Sequence, residues 1–74
     1  MNKIDNKIEL EKLGHQIRYF RLNLNLSQEQ LANKCDFDRT YISMLERGKR
    51  NPSYLNLLKL VNGLNIKLYD LIKD

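Results

Sequence analysis

Between Asp38 and Gly48 the chain reads DRTYISMLERG. Placed on a helix at about 100° per residue, Ile42 and Leu45 fall on one side while Thr40, Ser43, Met44 and Arg47 fall on the other. Arg39 takes the first helical position after an Asp38 N-cap, where a long side chain reaches forward past the helix end. A face with guanidinium, hydroxyl and thioether groups but no carboxylate suits the edges of base pairs. It does not suit acid or base catalysis, which needs a group that titrates near the working pH. The same face also fits an ordinary solvated helix, so the neighbouring elements have to decide.

Other groups with chemical potential are isolated. His15 has no second His or paired Cys near it, so no metal site is expected. Asp36 and Asp38 are explained by turn and cap chemistry, and no third catalytic group accompanies them. The chain has no phosphate-cradling glycine loop, HExxH, paired CxxC or nucleophile turn, so an enzyme is not expected and no cofactor is implied.

Upstream of the polar helix, Ser27-Gln28-Glu29-Gln30 fits a capping box, with Leu26 and Leu31 at the positions of a hydrophobic staple. The short helix it starts buries Leu31, Ala32 and Cys35. Cys35-Asp36-Phe37-Asp38 is the turn to the next helix, with Phe37 filling the angle between the two and Asp38 capping through its carboxylate. Gly48 is the expected stop after the polar helix, followed by the basic loop Lys49, Arg50 and Asn51.

A first helix is expected from about Lys7 to Leu24 on the stripe Leu10, Leu13, Ile17, Phe20 and Leu24, closing near Asn25. Gly14 lies inside it at a cost of about 1 kcal/mol relative to Ala. Arg18 and Arg21 are expected to face solvent, a phosphate or an acidic partner. Past Pro52, Ser53 is the candidate N-cap of a helix to about Asn62. Leu55, Leu57, Leu58, Leu60 and Val61 cover more of that helix than one core needs. Leu64, Ile66, Leu68, Leu71 and Ile72 extend the excess into a last short helix. A second apolar contact such as a twofold interface accounts for it, and a tightly wrapped monomer core is the alternative.

The chain has 74 residues, 42% of them hydrophobic, and a formal charge of +4. That is one small domain with a modest core, and its sequence pI near 9.4 favours a polyanionic partner. A single cysteine forbids an internal disulfide and fits a reducing cytoplasm. The opening MNKIDNKIELEK lacks the apolar core of a secretory signal, and no apolar run nears the roughly 20 residues of a membrane span. A cytoplasmic protein with no membrane contact is therefore expected.

Two short helices joined by a tight turn, the second polar on its outer face, form a helix-turn-helix arrangement. LSQEQLANKCDFDRTYISMLERGKRNPS resembles the helix-turn-helix (XRE-like) domains of the phage Cro and repressor type. More narrowly, DRTYIS followed by LERGKRNPSYLNLLKL resembles the controller proteins of restriction-modification systems. The resemblance runs from about Ile17 to Ile72. It implies an all-α, compact five-helix, lambda-repressor-like domain over residues 1–74, with the helix-turn-helix at 27–47 and a dimerisation region at 54–73. Where the family usually has Gly, at the end of the first helix and in the turn, this chain has Asn25 and Asp36.

By the same resemblance, Arg39 and Thr40 reach base edges, with Ser43 and Met44 further along that face. Gln28 grips a phosphate and Tyr41 faces the sugar-phosphate backbone. Lys49, Arg50, Asn51 and the segment including Ser53 and Asn56 hold the backbone on the far side. Arg21 and Glu46 form an ion pair between the first and third helices. Leu57, Leu60, Leu64, Ile66, Leu68 and Ile72 supply the dimer contact.

The function implied is a homodimeric transcription regulator on a near-palindromic double-stranded DNA operator, with half-sites about one turn apart. The controller resemblance adds regulation of its own promoter and that of an endonuclease gene, activating at low occupancy and repressing at high. RNA polymerase is a candidate further partner, and no small-molecule substrate is expected. Related domains serve as phage repressors or antitoxins, and a protein-interaction module of the same fold is the reading from a different class.

Overall fold

In the computed structural model, residues 3–73 are described; the ends of the expected 1–74 domain, residues 1, 2 and 74, lie outside them. Five helices follow in order: α1 (Asn6–Asn23), α2 (Gln28–Cys35), α3 (Arg39–Glu46), α4 (Tyr54–Leu64) and α5 (Leu68–Ile72). No strand occurs among the described residues.

Each helix start has a local cause. Asp5 accepts from the Ile8 amide at 3.1 Å and begins α1. The capping box on α2 closes in both directions, Gln30 N to Ser27 Oγ at 3.0 Å and Ser27 N to Gln30 Oε1 at 2.8 Å. Ser53 Oγ accepts from Asn56 N at 3.1 Å at the head of α4.

Asp38 departs from expectation. It is the N-cap residue of α3, but its carboxylate makes no cap hydrogen bond. The first-turn amides of Tyr41 and Ile42 bond to the Asp38 backbone carbonyl instead, at 3.1 and 3.3 Å. The carboxylate is left in solvent.

Three of the reversals between helices rest on left-handed residues that are not glycine: Asn25 (φ 57°), Asp36 (φ 61°) and Asn65 (φ 58°). Asn and Asp tolerate these angles better than other side chains because their short polar groups bond locally. Gly48, at φ 72°, closes α3.

Two glycines inside helices have roles that helix propensity does not convey. α4 runs past the expected end near Asn62 to Leu64, and Asn65 ends it. Gly63 faces α2, where an added Cβ would stand 2.5 Å from Cys35 Sγ. Gly14 is likewise no tolerated blemish. A Cβ there would meet the Leu45 and Glu46 carbonyl oxygens at 2.5 and 2.6 Å, so the absent side chain is what lets α1 cross the end of α3.

All five helices contribute to one core. Ile17, Leu31, Ile42, Leu45, Leu60, Leu64 and Leu71 are fully buried, with Leu13, Phe20, Phe37 and Leu57 packed around them. Cys35 is a buried filler, and burial pushes its thiol up from 9.0 more strongly than Lys34 pulls it down. The neutral thiol is thus favoured, which suits a packing role over a nucleophilic one. α3 lies between α1 and α2 with Ile42 and Leu45 turned inward, so its other side is presented outward as a rigid surface.

Candidate nucleic-acid interface

Beneath the exposed face of α3 lies a polar anchor. Arg21 donates to Glu46 through two parallel bonds, Nε to Oε2 at 2.6 Å and Nη2 to Oε1 at 2.9 Å. Both side chains are buried. The remaining guanidinium nitrogen, Nη1, donates to the Leu26 carbonyl at 2.8 Å, tying the α1–α2 loop into the same group. Arg21 therefore points inward, away from solvent and from any phosphate. A bidentate guanidinium–carboxylate pair fixes relative orientation as well as distance, and here it sets α1, α2 and α3 against one another.

Gln28 joins this anchor, its Nε2 donating to Glu46 Oε1 at 3.1 Å. One amide hydrogen of Gln28 is thereby engaged, and the other, at the head of α2, has no partner among the described residues. The sequence carries no sign of this side-chain link, because the two residues lie 18 positions apart.

On the outer side, Thr40, Tyr41, Met44, Arg50 and Asn56 line one open depression of about 510 Å³, together with Asp36, Phe37 and Asp38. Tyr41 is its centre. Phe37 meets the Tyr41 ring edge-on at a centroid distance of 4.8 Å. The Arg50 guanidinium carbon stands 5.1 Å from the ring centroid, a cation–π contact. Asn56 Nδ2 donates to Tyr41 Oη at 2.9 Å. Phe37 is in turn approached by the Lys59 ammonium at 5.6 Å from the centroid.

Arg39 is exposed at the start of α3, clear of the depression. Ser43 is half-buried, and its backbone carbonyl accepts from Arg47 Nε at 3.3 Å, which folds Arg47 back along the helix. Lys49, Asn51 and Ser53 are exposed, although the Ser53 hydroxyl already accepts as an N-cap. The carboxylates of Asp36 and Asp38 on the rim, and the Phe37 edge beneath it, belong to the site and were not among the expected contact residues. Their signal in the sequence is their place in the turn that leads into Arg39.

Two residues expected at a dimer contact are elsewhere. Leu60 and Leu64 are 0% and 1% exposed within this one chain, enclosed by its own helices, so they have no surface to offer a partner. They sit on the inner side of α4, and the unpartnered apolar groups lie opposite. Leu55 is 67% and Leu58 36% exposed, while on α5 Tyr69 is 70% and Ile72 58% exposed. Leu57, Ile66 and Leu68 are half-buried between the two sets.

A family model described as helix-turn-helix matches residues 17–71, which spans this whole arrangement from the middle of α1 to the middle of α5. The chain belongs to the helix-turn-helix family. It is 47% identical over 60 residues to the control protein C.BamHI of Bacillus amyloliquefaciens, covering 80% of this chain and 74% of that one. It is 44% identical over 64 residues to the control protein C.MunI of a Mycoplasma species, covering 85% and 86%. The crystal structure of the restriction-modification controller protein C.AhdI from Aeromonas hydrophila matches with a TM-score of 0.85 at 42% identity, covering 86% of this chain and 97% of that one. This helix-turn-helix protein is thus a DNA-binding transcription regulator of the controller type.

Among the described residues, no group of His, Cys, Asp and Glu side chains is placed to hold a metal ion. No helix among them is long and apolar enough to cross a membrane.

Proposed function

We propose that this controller-type regulator acts as a homodimer that grips a near-palindromic DNA operator upstream of its own gene. In this reading it regulates its own promoter and that of an endonuclease gene, activating at low occupancy and repressing at high. The observation that carries the reading is the single surface on which Thr40, Tyr41, Met44, Arg50 and Asn56 converge beside the exposed Arg39. Such a surface supports a division of labour. Arg39 is the bidentate reader of a guanine edge, and Thr40, Ser43 and Met44 complete the base-facing side. Tyr41, Lys49, Arg50, Asn51, Ser53, Asn56 and the second amide hydrogen of Gln28 position the backbone.

The dimer surface is proposed for the outer side of α4 and the end of the chain, with Leu55, Leu58, Tyr69 and Ile72 in place of the enclosed Leu60 and Leu64. Leu57, Ile66 and Leu68 contribute their exposed portions. Contact with RNA polymerase belongs to the activating half of the proposal. The role is regulatory and non-enzymatic.

The test is equilibrium binding to a duplex carrying the chain's own upstream DNA and to a scrambled duplex of the same composition. The expected result is tighter binding to the upstream duplex, two chains per site, and an affinity that falls about a thousandfold between about 50 and 200 mM salt. Absence of any salt-dependent binding to either duplex would instead favour a protein-interaction module built on the same fold.

A further inference from the structure

Asn56 occupies the third position of α4, where a Glu or Gln would often turn back to the N-cap amide and complete a capping box. Here it turns the other way and donates to Tyr41 Oη across the α3–α4 junction at 2.9 Å. A tyrosine oxygen that accepts in this way keeps one hydrogen to give. Among the described residues no acceptor takes that hydrogen. The ring itself is held by a T-shaped contact with Phe37 and by Arg50 over its face, at 4.8 and 5.1 Å. The hydroxyl therefore stands in the open depression with its ring fixed and its hydrogen-bond polarity decided by the protein.

We infer that Asn56 is a positioning residue for DNA binding: by donating to Tyr41, it commits the tyrosine hydroxyl to the role of donor toward a non-bridging phosphate oxygen. A phosphate can only accept, so a hydroxyl already facing it as donor needs no reorganisation on binding. Arg50, seated on the same ring, supplies positive charge beside the bond. The inference deepens the DNA-binding reading above and rests on it.

The test uses the upstream duplex with single phosphates replaced, one at a time, by neutral methylphosphonates, titrated with the full chain. The variants are Tyr41→Phe, Asn56→Ala and Asn56→Asp. For the unsubstituted chain, neutralising the phosphate that Tyr41 meets weakens binding about tenfold. In Tyr41→Phe that position becomes silent, within about twofold, while other sensitive positions persist. Asn56→Ala leaves the hydroxyl free to rotate and is expected to lessen the sensitivity at the same position. Asn56→Asp is the second variant because it keeps a hydrogen-bonded tie between the helices but accepts the tyrosine hydrogen and turns it inward. It is expected to silence that position.

A residue that only braced α4 against α3 would lower affinity or melting temperature and leave the pattern of sensitive phosphates unchanged. The inference is overturned if both Asn56 variants keep the sensitivity that Tyr41→Phe loses, or if Tyr41→Phe loses none. Failure of the unsubstituted chain to bind any upstream duplex is a different result. It would remove the DNA-binding reading and this inference with it.

Discussion

The two sides of α3 and the two sides of α4 are built on opposite plans. α3 turns Ile42 and Leu45 inward and presents polar groups outward, with the buried Arg21–Glu46 pair locking its end to α1 and, through Gln28, to α2. α4 turns Leu60, Val61 and Leu64 inward and still presents Leu55 and Leu58 outward. A helix that reads a rigid polymer needs fixed orientation, and directional hydrogen bonds supply it. A helix that meets a second copy of itself needs exposed apolar area, and leaves some of its own uncovered.

The contrast can be broken most forcefully at the anchor. Glu46→Ala leaves a buried guanidinium without its partner, which costs about 3 to 5 kcal/mol. In a domain of this size that is a large share of the stability, and urea unfolding should show a midpoint moved well toward zero denaturant. Gly14→Ala tests the close crossing of α1 and α3. Helix propensity alone predicts a gain of about 1 kcal/mol, whereas the overpacking against two carbonyl oxygens predicts a loss of about 1 to 3 kcal/mol, read from the shift in the urea midpoint.

On the other side, Leu55→Glu should leave folding within about 0.5 kcal/mol because the residue is 67% exposed. Sedimentation should nevertheless show the proposed dimer dissociating. The smallest effect is expected at Asp36→Gly. Relief of the left-handed strain and the greater freedom of Gly in the unfolded chain nearly cancel, so the melting temperature should move by an amount equivalent to less than about 1 kcal/mol.

The order of the helices and the start of α2 are legible in the sequence because capping boxes and apolar stripes act over three or four residues. The polar face of α3 is legible for the same reason. The need for Gly63 is not legible, because only the position of Cys35 on another helix shows that a side chain there would collide. Leu60 and Leu64 mislead because an excess of leucine on a helix says that a second surface exists and not which side faces it. The bonds from Asn56 to Tyr41 and from Gln28 to Glu46 join residues 15 and 18 positions apart, beyond any local pattern.

The central claim is that one surface separates base reading at Arg39 from backbone holding at Arg50. Affinities of Arg39→Ala and Arg50→Ala for the upstream duplex and for its scrambled counterpart test it most directly. Arg39→Ala should erase about 1 to 3 kcal/mol of the preference between the two duplexes while changing scrambled-DNA binding little. Arg50→Ala should weaken binding to both by the same factor and reduce the dependence on salt. If the two variants lose affinity in the same proportion on both duplexes, the separation of roles is contradicted.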